Sequence, residues 1–377
     1  MNSLRALGLR FDMPRQPVRK ESDSADLTTR AGREGGSLGA DALHVMAPKS
    51  FWTPLNGPVP GRLIEGTLPD DHYARFILRL PKKWNGRLVV AAASGITDER
   101  TYDLYFSDYF LTRGYAFAAT DKGVRRTVLD GDTVLMPMVP ESGVRRWYSR
   151  LEALARFSVE AASAFYGRKP ERTYAVGLSN GGHLARKAAE SGSGLFDAAL
   201  EVSGVLWTGE RNLLRQLPAA LRATEGKSAD PAALARAGFP NGDGRWSPVL
   251  ALYRQVYWRA VLHLFIQDLD PAYDGAVEDY DLDARPASVR EAIAEFGHTG
   301  DLKIPLVSVA GGRDYLISCR EHALAYRDLV AARGRENLHR LVVVDDASHI
   351  DANRETFDFI PPLMPRAHEE FERLAAR

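Results

Sequence analysis

Ser179 lies in the pentapeptide Gly177-Leu178-Ser179-Asn180-Gly181, which fits the pattern G-x-S-x-G. The apolar run TYAVG before the serine predicts a strand, and GGHLARKAAE after it predicts a helix. A serine on such a sharp turn is held above a sheet at a helix N-terminus, where the helix dipole favours a developing anion. A helix N-cap is the alternative role for a serine here. The choice between cap and catalytic nucleophile depends on partners elsewhere in the chain.

A serine hydroxyl needs a base that accepts its proton. Among the nine histidines, His349 alone follows a buried-strand pattern, VVVDDASHID, and a short loop of small residues. His298, at the end of a long insertion, is the second candidate. His183 lies one turn after Ser179 on the same predicted helix, is badly placed to receive the proton, and is interpreted as a surface or pocket-rim residue. His349 is therefore the predicted base.

The acid that orients this base is predicted to be Asp314, directly after the strand pattern PLVSVAGG. A buried carboxylate there holds the imidazole in the required tautomer and stabilises the imidazolium. Turn chemistry is the alternative role of Asp314, and Glu210 is a distant alternative acid. Asp345 and Asp346 are too close to His349 along the chain to orient it easily.

The oxyanion of an acyl-transfer intermediate needs two backbone N–H donors. One is predicted to be Asn180, directly after the nucleophile. The other is predicted in the loop ASGITD, where Gly95 permits an unusual backbone and Gly95 or Ile96 donates. Removing one such donor typically costs about 3–4 kcal/mol in the transition state.

The elements that must position these groups alternate between strand and helix patterns from residue 62 onward. This alternation predicts an α/β fold, with a mostly parallel central sheet and helices on both faces. The pattern is interrupted once, which predicts an inserted cap. The predicted domains are a flexible or peripheral lead-in (1–45), a core (46–207 and 303–377) and a largely helical cap (208–302).

Within the predicted cap, the segment VLALYRQVYWRAVLHLFI carries apolar residues at helical spacing. Packing of a cap helix on the core is one interpretation, and a lining of the substrate pocket is the other. On the second interpretation, Trp246, Tyr253, Tyr257 and Trp258 are candidate substrate contacts.

Composition limits the partners. Lys+Arg and Asp+Glu number 49 each, so no basic footprint for nucleic acid exists. No apolar run approaches the ~20 residues that span a bilayer. Cys319 is the single cysteine, which excludes an internal disulfide. The N-terminal residues lack the apolar core of a secretory signal, so a cytoplasmic location is expected. The oligomeric state is left open.

No cofactor and no metal are expected. Asp268, Asp270 and Asp274 of the cap are carboxylates of the kind that bind calcium. Position 272, where an EF-hand loop requires a third ligand, is alanine. These acids are therefore interpreted as solvated residues of a cap loop.

Together the residues resemble the α/β-hydrolase superfamily over roughly residues 60 to 375, and within it the tannase and feruloyl-esterase group. That group reads G-C-S-x-G-G where this chain has Gly177 to Gly182. Its G-x-x-D-x-x-I pattern matches Gly311, Asp314 and Ile317. The segment DPAYDGAVEDYDLD also resembles the Asp- and aromatic-rich stretch before that strand.

The resemblance has one departure. The group places cysteines before the serine and after the histidine, joined in a disulfide, where this chain has Leu178 and Ile350. We therefore expect these two apolar side chains to touch.

The predicted function is a serine carboxylic-ester hydrolase that forms an acyl-enzyme on a small or oligomeric ester, of aromatic or hydroxyalkanoate type. A peptidase, amidase or acyltransferase on the same triad and a non-catalytic binding scaffold are the alternatives.

Overall fold

The computed structural model describes residues 18–34, 52–95, 97–124, 128–130, 133–135, 143–225 and 230–377. The strands in these ranges are β1 (Arg19–Ser24), β2 (Gly61–Leu68), β3 (Asp71–Pro81), β4 (Arg87–Ala92), β5 (Ala116–Thr120), β6 (Val128–Asp130), β7 (Thr133–Leu135), β8 (Arg172–Leu178), β9 (Ala198–Val202), β10 (Leu306–Gly311) and β11 (His339–Val344).

The α-helices in the same ranges are α1 (Arg30–Glu34), α2 (Asp108–Leu111), α3 (Trp147–Tyr166), α4 (Asn180–Ser191), α5 (Leu213–Ala223), α6 (Pro231–Arg236), α7 (Ser247–Leu252), α8 (Arg259–Leu269), α9 (Ala287–Phe296), α10 (Ala325–Ala331) and α11 (Met364–Ala375). Segments of π-helix span Asp103–Ser107, Tyr253–Trp258 and Cys319–Leu324. Short 3-10 turns span Val144–Arg146, Gly244–Trp246, Val277–Asp279, Leu282–Ala284, Glu336–Leu338 and Asp351–Glu355.

The central sheet has the order β1-β2-β3-β5-β4-β8-β9-β10-β11. Strands β1 to β3 are antiparallel at one side, and the pairs from β5 to β11 are all parallel. The carboxyl ends of parallel strands meet at one edge, so the loops after β4, β8, β10 and β11 gather there. The predicted mostly parallel sheet is confirmed.

Helices cover both faces of this sheet, because successive buried side chains of a strand point to opposite faces. On β4, Val89 belongs to an apolar cluster with Phe110 and Phe371, on the side of α2 and α11. The next residue, Val90, belongs to a second cluster with Leu154 of α3. The helix α4, which follows β8, packs in this second cluster.

The segment 18–34 lies within the predicted lead-in and forms a peripheral part of the sheet. Strand β1 pairs antiparallel with β2 at the sheet edge, and Arg33 forms an ion pair of 2.6 Å with the buried Asp108. The sequence pattern did not predict this strand, because the side chains of RKESDS are mainly exposed and polar.

Residues 208–302 interrupt the core between β9 and β10 and contain helices α5 to α9. Their apolar side chains join the same cluster as α3 and α4, so this segment packs on the core over a continuous apolar contact. Among the described residues, no helix combines the length and the hydropathy required to cross a bilayer.

Buried neutral histidines make this fold sensitive to acid. Burial lowers the pKa of His322 to about 3. Its Nδ1 accepts from the Leu206 N–H at 2.9 Å, and its Nε2 donates to Gln216 Oε1 at 2.8 Å. Burial likewise holds the pKa of His183 and of His298 well below the ordinary value. These rings stay neutral at a pH where the unfolded chain protonates them.

We expect His322→Asn to reduce the acid sensitivity of the free energy of unfolding. An unfolded histidine titrates near pH 6.5, so below that pH the unfolded state binds more protons and stability falls with the pH. The histidine contributes a slope of about 1.4 kcal/mol per pH unit between roughly pH 6 and its folded pKa. Urea unfolding measures this slope. Above about pH 7.5 the two proteins should differ by a constant amount. An unchanged slope below pH 6 would contradict the prediction.

Candidate active site

Ser179 lies between β8 and α4 with φ +59° and ψ −118°, a left-handed conformation that a serine rarely adopts. Its backbone N–H donates to the Val202 carbonyl at 2.9 Å, which ties the turn to β9. The residue occupies the N-cap position of α4, yet its side chain makes no capping hydrogen bond. The hydroxyl is therefore not used to begin the helix, and the strained turn has the geometry of a nucleophile elbow.

Three glycines around the serine are required by close backbone contacts. A Cβ at Gly177 would lie 2.1 Å from the Gly181 carbonyl oxygen. A Cβ at Gly181 would lie 2.2 Å from the Ala92 carbonyl oxygen, and one at Gly182 would lie 2.7 Å from the Cα of Gly204. Real Cβ atoms essentially never approach so closely. The spacing of small residues thus follows from the passage of β4 and of the β9 loop beside the turn.

Asp314 and His349 are brought together at the carboxyl ends of β10 and β11. His349 Nδ1 lies 2.7 Å from Asp314 Oδ2, and the residues are 3% and 1% exposed. The other carboxylate oxygen accepts the N–H groups of Leu316 and Ile317 at 2.7 and 2.8 Å. The carboxylate is therefore fixed in orientation and in turn fixes the imidazole.

The competing candidates lie elsewhere. His298 Nε2 faces His183 Nδ1 at 3.1 Å, and its Nδ1 accepts from the Trp207 N–H at 3.2 Å, so both rings belong to a buried packing network. The interpretation of His183 as a surface or pocket-rim residue is wrong, because the residue is 1% exposed. Its helix α4 is covered by the segment that returns from the cap. Glu210 is exposed to solvent.

The candidate oxyanion donors are placed as follows. Asn180 opens α4, and the first N–H groups of a helix have no intrahelical acceptor. Gly95 follows β4 and has φ +48°, a conformation that favours glycine. Ile96 lies outside the described residues. The loops of Asn180 and Gly95 follow the adjacent parallel strands β8 and β4.

Lys122 is a residue of this region that sequence reasoning missed. It follows β5, is fully buried, and its Nζ donates to the carbonyls of Ala93 at 2.6 Å and Gly95 at 3.2 Å. Burial lowers the pKa of this lysine to about 7. The amino group holds two carbonyls of the loop 93–98, which carries the predicted second oxyanion donor and is called the oxyanion loop for that prediction. The sequence around it, TDKG, indicates only a turn.

We expect Lys122→Met to lower kcat by about 10²-fold, because a misplacement of about 1 Å in a positioned group costs that much. Ester hydrolysis at saturating substrate measures it. The matched control is Lys187→Met, since Lys187 Nζ also donates to a carbonyl, that of Gly297, at 2.7 Å. Equal losses in both variants would show that Lys122 has no particular effect on the oxyanion loop.

The four cap aromatics lie in different surroundings. Trp246, Tyr253 and Trp258 are buried, and Tyr257 is half-buried. The Trp246 ring packs on Phe359 with centroids 5.1 Å apart. The polar atoms of Tyr253 and Trp258 bind protein groups. A substrate contact at any of the four stays a prediction.

Leu178 and Ile350, the neighbours of Ser179 and His349 in sequence, are both buried and belong to the same apolar cluster. The Leu178 peptide is also held by Tyr102, whose hydroxyl accepts its N–H at 2.9 Å and lies 3.2 Å from its carbonyl. Direct contact between the two side chains stays a prediction.

Two of the three acids considered for calcium bind protein groups. Asp270 forms an ion pair of 2.5 Å with Arg285 and accepts from the Tyr280 hydroxyl at 3.1 Å. Asp268 accepts the Val144 N–H at 2.7 Å. Asp268 and Asp270 thus connect the cap to the segment before α3 and to itself, so their interpretation as solvated acids is wrong, whereas Asp274 is exposed to solvent as predicted.

Two sequence comparisons found relatives of this chain. Residues 62–211, which include the elbow, match the family described as tannase and feruloyl esterase. A mono(2-hydroxyethyl) terephthalate hydrolase from Piscinibacter sakaiensis is 29% identical over 117 residues. That match covers 29% of this chain and 19% of the relative's length.

Two of the solved structures that resemble this chain are esterases from Aspergillus oryzae. Feruloyl esterase B from Aspergillus oryzae has a TM-score of 0.61 at 14% identity, over 92% of this chain and 82% of that one. An esterase from Aspergillus oryzae has a TM-score of 0.56 at 13% identity, over 91% and 81%. At such identities the likeness shows the fold. The predicted α/β-hydrolase fold is confirmed.

Proposed function

We propose that this chain is a serine hydrolase of carboxylic esters and a member of the tannase and feruloyl esterase family, whose model matches residues 62–211. The observation that carries the proposal is the 2.7 Å bond between His349 and Asp314 at the sheet edge where Ser179 stands on its strained turn. Nucleophile, base and acid follow one another in the chain order of this fold.

In the proposed reaction, the Oγ of Ser179 attacks the ester carbonyl carbon. His349 binds Asp314 through Nδ1, so its other nitrogen, Nε2, accepts the serine proton. The carbonyl oxygen becomes an oxyanion, stabilised by the Asn180 N–H and by a donor of the oxyanion loop. The imidazolium then protonates the departing alkoxide, which leaves as the alcohol.

The acyl-enzyme is released by the same groups. His349 accepts a proton from water, and the resulting hydroxide attacks the acyl carbon. A second oxyanion forms in the same place, and the serine leaves with the proton returned by His349. Throughout, two backbone N–H groups donate to Asp314 Oδ1 and hold the carboxylate in its orientation toward the imidazolium.

The substrate class we propose is a small or oligomeric ester of an aromatic acid, with hydroxyalkanoate esters as the second class. The family name and the terephthalate ester in the relative's name support the aromatic class. A panel of p-nitrophenyl and methyl esters tests it. We expect a higher kcat/KM for benzoate and cinnamate esters than for acetate. A preference for 3-hydroxyalkanoate oligomers would select the second class.

Active-site titration tests the reaction type. A fluorophosphonate probe should label Ser179 in stoichiometric amount, and peptide mapping identifies the residue. Absence of labelling would favour the alternative of a non-catalytic binding scaffold. Labelling together with anilide turnover as fast as ester turnover would favour a peptidase or amidase.

A further inference from the structure

One segment of the cap, Tyr253–Trp258, connects to both loops that carry the acid and the base. We call residues 312–318 the acid loop and residues 345–353 the base loop. Trp258 is fully buried, and its indole Nε1 donates to the carbonyl of Tyr315 at 2.6 Å. Tyr315 directly follows Asp314. The indole thus holds the peptide next to the carboxylate.

The other end of the segment holds the base loop. Tyr253 is 1% exposed, and its Oη accepts the Asn353 side-chain N–H at 2.5 Å. The same Oη lies 3.3 Å from Ser348 Oγ, within reach of its own hydroxyl proton. Ser348 directly precedes His349. One phenol therefore joins two points of the base loop, on either side of the histidine.

The helical form of the segment explains how two residues five apart reach neighbouring loops. In an α-helix with 3.6 residues per turn, positions i and i+5 differ by about 140° in direction. This segment is a π-helix, in which hydrogen bonds run from i to i+5 and such residues approach the same side. Tyr253 and Trp258 stand in this relation. The widened turn therefore directs both polar groups to the catalytic loops.

We propose that Tyr253 and Trp258 are positioning residues that hold the acid and base loops at the separation required by the Asp314–His349 bond. The inference rests on the proposed function, in which that pair is the catalytic acid and base. It assigns the cap a role beside the predicted one of shaping the substrate site. Both side chains are buried and use their polar atoms on the loops.

The expected effect is on turnover rather than on substrate binding. Trp258→Phe leaves the Tyr315 carbonyl without its donor, and Tyr253→Phe leaves Ser348 and Asn353 without their common partner. A catalytic group displaced by about 1 Å loses about 10²-fold in rate. We expect each variant to lower kcat on p-nitrophenyl acetate between about 10- and 100-fold, with KM within about twofold of the wild type.

Two matched controls separate this effect from loss of packing. Trp207 is also a fully buried tryptophan, and its Nε1 has no hydrogen-bond partner among the described residues. Trp207→Phe therefore removes the same atoms without releasing a catalytic loop. Tyr166→Phe removes a hydroxyl that donates to the Pro81 carbonyl at 2.8 Å, far along the chain from both loops. Both controls should keep kcat within about twofold.

The experiment measures kcat and KM per fluorophosphonate-titrated site, the pH profile of kcat/KM, and the thermal transition of each variant. A fall of kcat per titrated site, with a shifted pH profile, supports the inference. A lower thermal transition with unchanged kcat per titrated site would contradict the inference, because both residues would then contribute to stability alone. An altered KM that depends on ester size, at unchanged kcat, would make them substrate contacts. If wild-type Ser179 is not labelled at all, the proposed function itself fails.

Discussion

Ser179→Ala is expected to lower ester turnover by about 10⁵- to 10⁶-fold, because removal of the nucleophile disables the triad as a unit. The free energy of unfolding should change by less than about 0.5 kcal/mol. The serine side chain caps no helix, and alanine keeps the Cβ that already stands in the left-handed conformation. Hydrolysis of p-nitrophenyl esters and urea unfolding measure the two quantities. Retained turnover would refute the assignment.

A companion variant, Ser179→Gly, measures the strain at the turn. A non-glycine residue at φ +59° costs about 1–3 kcal/mol, whereas glycine adopts this conformation freely. The glycine variant should thus be as inactive as the alanine variant. It should be more stable by about 1 kcal/mol, because the strain that glycine relieves exceeds the additional backbone entropy that glycine loses on folding. Equal stability of the two variants would mean that the turn stores no strain. The fluorophosphonate probe should label neither.

The elbow could be predicted from sequence because its geometry is local. The close contacts that require Gly177 and Gly181 arise within one strand, one turn and one helix, together with the neighbouring β4. The pairing of Asp314 with His349 spans 35 residues, and it could be predicted because adjacent parallel strands end at the same sheet edge. In both cases, the order of strands and loops along the chain is enough to predict which residues meet.

Groups whose surroundings are set by distant packing could not be predicted in this way. His183 stands on an ordinary helix pattern, and it is buried only because the segment with His298 returns over α4. Lys122 follows a strand like many surface lysines, yet its side chain turns inward to two carbonyls of the oxyanion loop. In both cases, the groups that surround the side chain are distant from it in sequence.

The cap shows the limit of periodicity. Helical spacing of apolar residues predicted a packing face that includes Tyr253 and Tyr257. Tyr253 is buried and Tyr257 only half-buried, whereas Trp258, which is outside that spacing, is fully buried. The pattern assumes 3.6 residues per turn, so it cannot predict the π-helical turn that directs Tyr253 and Trp258 toward the catalytic loops. Their roles depend on that deviation.

Asp314→Asn is expected to lower kcat/KM by about 10⁴-fold, the loss typical of triads in which the acid becomes an amide. Asp314 uses both oxygens: Oδ1 accepts from Leu316 and Ile317, and Oδ2 faces His349 Nδ1. An asparagine keeps the two backbone hydrogen bonds only if its carbonyl oxygen occupies the Oδ1 position. Its NH₂ group then faces the histidine.

That orientation reverses the tautomer of the base. The NH₂ group donates to Nδ1 of His349, so the ring proton moves to Nε2, which can no longer accept the proton of Ser179. The opposite orientation of the amide places NH₂ against two backbone N–H groups, which costs about 1–3 kcal/mol of stability for each unsatisfied buried group. The fixed geometry of Asp314 therefore selects the inactive tautomer.

Steady-state kinetics of Asp314→Asn beside Glu210→Gln decides which acid orients the base. Glu210 is exposed, so its amide variant should keep kcat/KM within about twofold, the change expected of a surface substitution away from the site. The thermal transition of both variants should stay close to that of the wild type. An Asp314→Asn enzyme with more than about a tenth of wild-type activity would conflict with the tautomer argument, since the amide would then not control the ring proton.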